Sequence, residues 1–409
     1  MRARPPVAIE TPVLAALRAG VAPPHAAPAW PAVQTPGRLD AAGMGAPAGA
    51  PTEPPTVGEL PAGTVAVTFA HEAPAGGEVL LHLNGITDRF RTAFEWALLP
   101  EVHRDGDRAV HAAAFALPAG LSCSYRLVSA PSIPRDAGTS RPGWKAIHEA
   151  GRPDPLAGER MPTVLGGESS LLALPGAVVH PAWHPATRPR RAAPRVHARG
   201  EGLRLIDTGR HDALVVLFDA EQWESVGLLE ALRRLRGTPP MILAVDSDTG
   251  RRRAEFLPYP DRVEYVVLPA IEAVLATTPG LSRERIMASG QSYGGLAAVG
   301  LGTVGAAPAR AVLASSPSLH FVPGHGRPQG LGETGELIER LRALPAVRAG
   351  SGARIQLAAG TEEHGMLEVA RAAVPVLRAA GHEVSLTPVV GGHDYAWWRH
   401  ALAAALEAW

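Results

Sequence analysis

"GQSYGG", residues 290–295, separates a short apolar run from a stretch of small residues. The run before it, Arg285–Ser289, has the length and composition of a buried strand. The stretch after it, 296–299, continues as a helix-like segment. In this context the pattern G-x-S-x-G predicts a sharp turn from strand to helix that presents the serine side chain. Ser292 is therefore a candidate nucleophile, and the alternative is a serine in a structural glycine-rich turn.

The chain around this turn alternates short apolar runs with amphipathic segments of helical length. The predicted strands are Ala213–Phe218, Met241–Val245, Arg285–Ser289, Arg310–Ala314, Arg354–Ala358 and Val384–Val389. One amphipathic segment carries Met366, Val369 and Leu377, and Pro375 within it is expected to kink or end the helix. This alternation predicts an α/β fold with a doubly wound, mostly parallel sheet.

A serine hydroxyl needs a neighbouring base to become a nucleophile. In α/β-hydrolases the acid and then the histidine follow the serine along the chain, each in a loop after a later strand. His393 follows the last predicted strand on the glycine turn 391–392 and is the candidate base. We expect the Ser292 hydroxyl to lie within proton-transfer reach of the His393 imidazole.

The acid of such a triad has several candidates. Glu363 lies in the loop after Arg354–Ala358 and is the favoured one, with Glu362 and Asp394 as alternatives. Both glutamates also fit solvated positions or a cap at the start of the next helix. A dyad without an acid is the remaining alternative.

Backbone N–H groups at helix starts are candidates for stabilising an oxyanion. The turn at Ser292 places the N–H of Tyr293 at a helix N-terminus. A second donor is expected from Ala220 or Glu221, in the loop after an earlier strand. Trp223 in the same loop fits either a wall of the substrate pocket or the core.

Composition excludes several classes of protein and binding site. Lys plus Arg and Asp plus Glu number 39 each, so the chain lacks the basic excess of a general nucleic-acid binder. The single cysteine, Cys123, excludes an internal disulfide and a multi-cysteine metal site. No apolar run reaches the roughly 18 residues of a membrane span, and the N-terminus lacks the apolar core of a signal peptide. We expect a cytoplasmic protein without a membrane partner.

The chain divides by composition into four parts. Residues 1–57 are rich in proline, alanine and glycine, and most of them are predicted to be disordered. Residues 58–183 alternate apolar and polar positions with period two, which predicts a small Ig-like β-sandwich domain followed by an interdomain segment. The Pro/Arg-rich stretch 184–204 is predicted to be a linker, and 205–409 the catalytic domain.

Several motifs in order resemble the enterochelin (ferric enterobactin) esterase family. They are "LHLNGITDRF" (81–90), "DPL" (154–156), "HPAW" (180–183), "LFDAEQW" (217–223), "VDSDTGRRRAEFLP" (245–258), "GQSYGGLAA" (290–298), "AAGTEE" (358–363) and "GGHDYAWWR" (391–399). The similarity runs from about residue 63 to 409. It implies an N-terminal β-sandwich followed by an α/β-hydrolase domain.

The resemblance also implies roles for individual residues. Ser292 is the nucleophile, His393 the base and Glu363 the acid, and Arg252 contacts the substrate. One position departs from the family, which usually has glycine where this chain has Ala220. If that position requires a positive φ, alanine carries a conformational cost there.

The family hydrolyses the ester bonds of a cyclic catecholate siderophore, so the implied partner is a small molecule and its iron is part of the substrate. No cofactor and no catalytic metal are expected. A ferric tris-catecholate is an anion with flat aromatic faces, which suits arginine and aromatic side chains, including Trp223 and Trp398. Trp398 fits equally a packing role in the last helix. The alternative functions are an acyltransferase or another carboxylesterase of the same fold, and a non-catalytic siderophore- or glycan-binding protein.

Overall fold

The computed structural model describes residues 5–20, 32–34, 60–164, 166–200, 202–247, 263–303, 308–322, 332–348 and 350–409. The chain forms two compact units. The first contains Met1–Val178 and the short segment Val390–Ala396, and the second contains Val179–Val389 and Trp397–Trp409. The chain therefore enters the first unit a second time near its C-terminus.

The first unit is built mainly from antiparallel strands. In chain order they are β1 (Val7–Ile9), β2 (Ala32–Gln34), β3 (Thr64–Pro74), β4 (Glu78–Leu83), β5 (Leu98–Leu99), β6 (Glu101–Asp105), β7 (Arg108–Pro118), β8 (Ser122–Ala130), β9 (Arg160–Pro162) and β10 (Glu168–Ala173). The helices are α1 (Pro12–Arg18), α2 (Ile86–Arg89) and α3 (Arg141–Ala150). One sheet has the order β1-β7-β3-β2 with β6 also on β7, and the other has the order β5-β4-β8-β10-β9.

The period-two pattern of β3 reflects two different packing surfaces. Large side chains such as Phe69 join a core to which both sheets contribute, where the Phe69 ring lies 5.4 Å from that of Tyr125. The intervening small residue Ala70 belongs to a separate cluster with Leu14 and Leu17 of α1. Alternation of large and small residues thus follows from a second sheet on one face and a helix on the other.

The N-terminal segment is more ordered than its composition predicts. Residues 5–20 form β1 and α1, and 32–34 pair with β3. The Thr11 hydroxyl accepts from the N–H of Leu14 at 3.1 Å and begins the helix, which buries Leu17. The prediction covered most of 1–57 rather than all of it, and these residues are ordered where Leu14 and Leu17 pack the helix against alanines of the first sheet. The rest of the segment lies outside the described residues.

The second unit contains one eight-stranded sheet flanked by helices. Its strands are β11 (Arg195–Gly200), β12 (Leu203–Asp207), β13 (Leu214–Phe218), β14 (Met241–Val245), β15 (Ile286–Gln291), β16 (Ala311–Ser315), β17 (Arg354–Gly360) and β18 (Glu383–Val389). Its helices are α4 (Ala220–Ser225), α5 (Leu228–Arg234), α6 (Leu268–Thr277), α7 (Tyr293–Thr303), α8 (Glu336–Ala343), α9 (Met366–Ala379) and α10 (Tyr395–Ala408). The first two residues of α10 group with the first unit.

The order of this sheet is β11-β12-β14-β13-β15-β16-β17-β18. All pairs from β14 to β18 are parallel, whereas β12 pairs antiparallel with β11 and β14. The predicted α/β fold is confirmed, and each predicted strand overlaps an observed one. Helix α9 continues through Pro375 to Ala379, so the proline does not end it.

The predicted linker 184–204 is partly wrong. Its last residues form the edge strand β11 and the turn into β12, and every residue of β11 is exposed. Arg191 donates to the carbonyl of Leu235 at 2.7 Å, so the preceding stretch packs within the second unit, to which it belongs. The edge strand β11 has the polar composition of a linker because it buries no side chain. None of the helices in the described ranges has the length and apolar character of a membrane span.

Candidate active site

Ser292 lies between β15 and α7 on the sharp turn that the motif predicts. Its φ is +54°, in the left-handed region, and its side chain is half-buried. The Ser292 N–H donates to the carbonyl of Ser315 at 3.0 Å, and the Ser292 carbonyl accepts from Ser318 at 2.9 Å. A non-glycine residue with positive φ persists only where its surroundings hold it, and these bonds to the neighbouring strand end do so.

The flanking glycines are required by close backbone contacts. A Cβ on Gly290 would overlap the carbonyl group of Gly294. A Cβ on Gly294 would lie 2.6 Å from the Asp219 carboxylate and 3.1 Å from the Cβ of Phe218. Both glycines of G-x-S-x-G therefore allow strand and helix to approach around Ser292.

Strained backbone is concentrated at one edge of the sheet. Within the described ranges, the non-glycine residues with positive φ are Asp219, Ser292 and Ser316. They directly follow β13, β15 and β16, which are adjacent parallel strands. All three therefore lie at the carboxyl edge, where open α/β sheets bind ligands. Strain of this kind is typical of functional sites.

Two helices begin at this edge. Tyr293 is the first residue of α7, and Ala220 and Glu221 are the first two of α4. N–H groups in the first turn of a helix have no carbonyl partner within it, so they suit an anionic oxygen. The strain expected at Ala220 is found instead at Asp219, the preceding residue, and alanine here does not need a positive φ.

The Glu221 side chain is directed to another loop. Its carboxylate accepts from the N–H of Ser247 at 3.0 Å and from the Ser247 hydroxyl. Any contribution of Glu221 to an oxyanion site would therefore come from its backbone.

Glu363 is a buried carboxylate at this edge of the sheet. It is 5% exposed and accepts from the N–H of Gly360 at 2.8 Å and from the Ser316 hydroxyl. The indole N–H of Trp398 donates to the Ser316 Oγ at 3.0 Å. Glu362 is half-buried and accepts from the Thr361 hydroxyl. This environment favours Glu363 as the acid over Glu362.

Ser316 was not among the predicted site residues. Its φ is +46°, and its hydroxyl links the Trp398 indole to the Glu363 carboxylate. The available signal is its position two residues after the predicted strand Arg310–Ala314, in "SSPS" at 315–318. Such a signal is weak because serine is common in loops.

His393 lies on the predicted glycine turn after β18, and it is exposed. Its segment, Val390–Ala396, groups with the first unit, whereas Ser292 and Glu363 belong to the second. The proximity of Ser292 and His393 stays a prediction. Asp394, an alternative acid, accepts from Ser124 and Ala396 N–H groups within the first unit.

Of the three predicted substrate-binding residues, two are buried tryptophans and the third, Arg252, lies outside the described residues. Trp223 is 1% exposed and Trp398 is 3% exposed. Their burial favours the packing role over contact with a substrate. The role of Arg252 stays a prediction. Among the described side chains no three His, Cys, Asp or Glu residues cluster as metal ligands, and the expectation of no catalytic metal also stays a prediction.

Comparison with known proteins identifies relatives of both units. Residues 66–183 match the enterochelin esterase N-terminal domain. The iron(III) salmochelin esterase of Escherichia coli strain CFT073 is 28% identical over 361 residues, which cover 82% of this chain and 85% of that protein. The iron(III) enterobactin esterase of E. coli K12 is 27% identical over 286 residues, 65% of this chain and 69% of that one.

A solved structure shares the fold. The ferric enterobactin esterase of Salmonella typhimurium superimposes with a TM-score of 0.67 at 24% identity, covering 84% of this chain and 93% of that one. The motifs of the sequence and these relatives agree, and over most of its length the chain is similar to enterochelin esterases.

Proposed function

We propose that the protein is a serine esterase that hydrolyses the ester bonds of a ferric catecholate siderophore of the enterobactin type. The main support for this function is the position of Ser292, which has a φ of +54° on a sharp turn at the carboxyl edge of the sheet. The similarity to iron(III) salmochelin and enterobactin esterases supports the choice of substrate. We further propose that the first unit is an Ig-like β-sandwich and the second an α/β-hydrolase domain.

The proposed reaction proceeds through an acyl-enzyme. His393 accepts the Ser292 proton while the serine oxygen attacks a lactone carbonyl. The N–H of Tyr293 and one N–H from Ala220 or Glu221 stabilise the oxyanion. The serine unit of the substrate then leaves as an alcohol, protonated by His393. Water, activated by the same imidazole, hydrolyses the acyl-enzyme.

Glu363 completes the triad in this proposal. A carboxylate beside the imidazole selects the tautomer that accepts a proton from serine, and it stabilises the imidazolium that forms. The Gly360 N–H and the Ser316 hydroxyl both donate to the Glu363 carboxylate and hold it in place. The iron enters and leaves as part of the substrate.

Mass spectrometry of the reaction products tests this function. Wild-type protein is incubated with ferric and iron-free catecholate trilactones, and each cleaved ester is expected to add one water to the product. Ser292→Ala is expected to lose turnover by about 10³-fold or more. Ser282→Ala, at an exposed serine before β15, serves as the matched control.

Other outcomes would assign a different function. Transfer of the acyl group to a sugar or lipid acceptor, with no added water, would indicate an acyltransferase. Tight binding of the trilactone without turnover, unchanged in Ser292→Ala, would indicate a siderophore-binding protein. Either result contradicts the esterase proposal.

A further inference from the structure

The motif Asn84-Gly85-x-Thr87-Asp88 has no role in the reaction as proposed, yet it contacts the segment that carries His393. Gly85 has a φ of +80°, and a Cβ added there would overlap the Cα of Gly392. A Cβ on Gly392 would in turn lie 2.6 Å from the Gly85 Cα and 2.8 Å from the Asn84 carbonyl. Two glycines therefore face each other, and no side chain fits at either position.

The turn that presents Gly85 is itself rigid. The buried Thr87 hydroxyl accepts from the N–H of Leu83 at 2.9 Å and donates to the Leu81 carbonyl at 3.2 Å. The Asp88 carboxylate accepts from the Gly85 N–H at 2.5 Å and the Trp144 indole at 2.7 Å. These bonds fix the turn to β4 and α3.

The charge of Asp88 maintains this arrangement. Burial raises the pKa of Asp88, but the charge and hydrogen bond of His82 and the hydrogen bonds from Trp144 and Gly85 lower it further. The net pKa lies well below its ordinary value, so Asp88 accepts hydrogen bonds as a carboxylate at neutral pH.

Strand β8 forms hydrogen bonds with both ends of the segment Val390–Ala396 and with Asp394 inside it. The Ser122 N–H donates to the Val390 carbonyl at 3.0 Å, and the Ser122 hydroxyl donates to the Ala396 carbonyl at 3.2 Å. The Asp394 carboxylate accepts from the Ser124 N–H at 2.5 Å. Val390 also packs against the core that both sheets share.

We infer that the Asn84–Asp88 turn and the start of β8 position the His393 imidazole for the proposed reaction. The segment Val390–Ala396 is held by backbone contact at Gly392 and by hydrogen bonds at Val390, Asp394 and Ala396. Within this segment only His393 is exposed. Gly85 and Asp394 are therefore positioning residues. The inference rests on the proposed role of His393 as the base.

Substitution of Gly85 tests the inference, with Gly76 as a matched control. Both glycines have a φ of +80°, but a Cβ on Gly76 meets nothing within 4 Å. Gly85→Ala and Gly76→Ala therefore carry the same conformational cost, and only the first displaces the Gly392–His393 backbone. We expect Gly85→Ala to lower kcat on the trilactone by about 10- to 100-fold at similar KM. Gly76→Ala is expected to stay within about twofold of wild type.

A double-variant comparison separates positioning from general destabilisation. If Gly85 acts through His393, then Gly85→Ala should cost no further activity in a His393→Ala background. A loss of the same size in both backgrounds would overturn the inference, as would equal activity of Gly85→Ala and Gly76→Ala. His393→Ala with wild-type kcat would instead overturn the assignment of the base, so the two failures are distinguishable.

A second variant carries the test if Gly85→Ala does not fold. Asp394→Asn keeps an acceptor for the Ala396 N–H but turns an amide donor toward the Ser124 N–H. We expect a comparable fall in kcat, absent in the His393→Ala background. Asp105→Asn, at an exposed aspartate on β6, is the control and should match wild type. Wild-type kcat in Asp394→Asn would contradict the inference.

Discussion

Ser316 occupies a backbone conformation like that of Ser292, one strand further along the sheet. Its hydroxyl donates to the buried Glu363 carboxylate and accepts from the Trp398 indole. A buried carboxylate is costly without such donors, because burial disfavours its charged form. Ser316 therefore supplies a hydrogen-bond partner to the candidate acid and helps to orient it.

Replacement of Ser316 by alanine tests this role. We expect Ser316→Ala to lower the free energy of unfolding by about 1–3 kcal/mol, because a buried acceptor loses one partner. The kcat should fall by about tenfold, since an acid with fewer donors holds the imidazole less well. Chemical denaturation and trilactone kinetics measure both quantities.

Trp398→Phe provides a graded comparison for Ser316→Ala. It keeps an aromatic ring at a buried position and removes the N–H that donates to Ser316. We expect a smaller fall in kcat, because the bond from Ser316 to Glu363 survives. Wild-type kcat in Ser316→Ala would show that this hydroxyl does not support the acid.

Residue positions with a local signature were predictable from the sequence, and those without one were not. The glycines around Ser292 mark a strained turn because only glycine tolerates the close contacts at 290 and 294. Ser316 has no such glycine frame, so its strain depends on partners distant in sequence, such as Glu363. Burial of Trp223 and Trp398 likewise depends on the whole core and has no local signal.

Helix α1 is a short helix in a segment rich in proline, alanine and glycine, and it is held by packing against the first sheet. Leu14 and Leu17, at 3% and 1% exposure, pack with alanines of the first sheet. The spacing i, i+3 places both leucines on one face, but seven residues are too few for an isolated helix to be stable in water. The helix forms because the sheet buries that face. The spacing of the two leucines indicates a helix, but it does not reveal that the first sheet buries them.

Substitution of Leu17 tests whether α1 is part of the folded domain. We expect Leu17→Ala to lower the free energy of unfolding by about 2–4 kcal/mol through lost burial and a cavity. Arg18→Ala, which removes an exposed ion pair with Glu10, is the control and should cost less than about 1 kcal/mol. Equal stability of Leu17→Ala and wild type would show that α1 does not contribute to the fold.

At the scale of the whole molecule, the chain order and the spatial grouping differ. Domain boundaries predicted from composition are continuous stretches, such as 205–409 for the catalytic domain. The structure instead groups Val390–Ala396 with the first unit, because Ser122, Ser124 and Gly85 bind that segment. Contacts of this kind join residues roughly 270 to 310 positions apart in sequence and leave no pattern in the composition.

Acid stability of the second unit is expected to depend on His400. The imidazole is 5% exposed, and its Nδ1 accepts from the His180 N–H at 2.8 Å. Burial, followed by the charges of Arg399 and His180, lowers the pKa of His400 to about 3. The unfolded chain, with a histidine pKa of about 6.5, therefore binds this proton first as the pH falls.

The stability contributed by neutral His400 is fully present above pH 6.5 and is lost progressively down to about pH 3. This single group should remove up to about 1.4 kcal/mol per pH unit in that window. His400→Asn keeps an acceptor near the His180 N–H but cannot titrate, so its stability should depend less on pH. Parallel pH curves for the two proteins in chemical denaturation would contradict this expectation.

In the proposed reaction Ser292 carries the acyl group during turnover, and the mass of the peptide that contains Ser292 tests this most directly. Wild-type protein is quenched with acid during trilactone cleavage, digested and analysed by mass spectrometry. We predict an acyl adduct on Ser292 that appears during turnover and disappears when substrate is exhausted. Steady turnover with no adduct at Ser292, or with undiminished rate in Ser292→Ala, would contradict the claim.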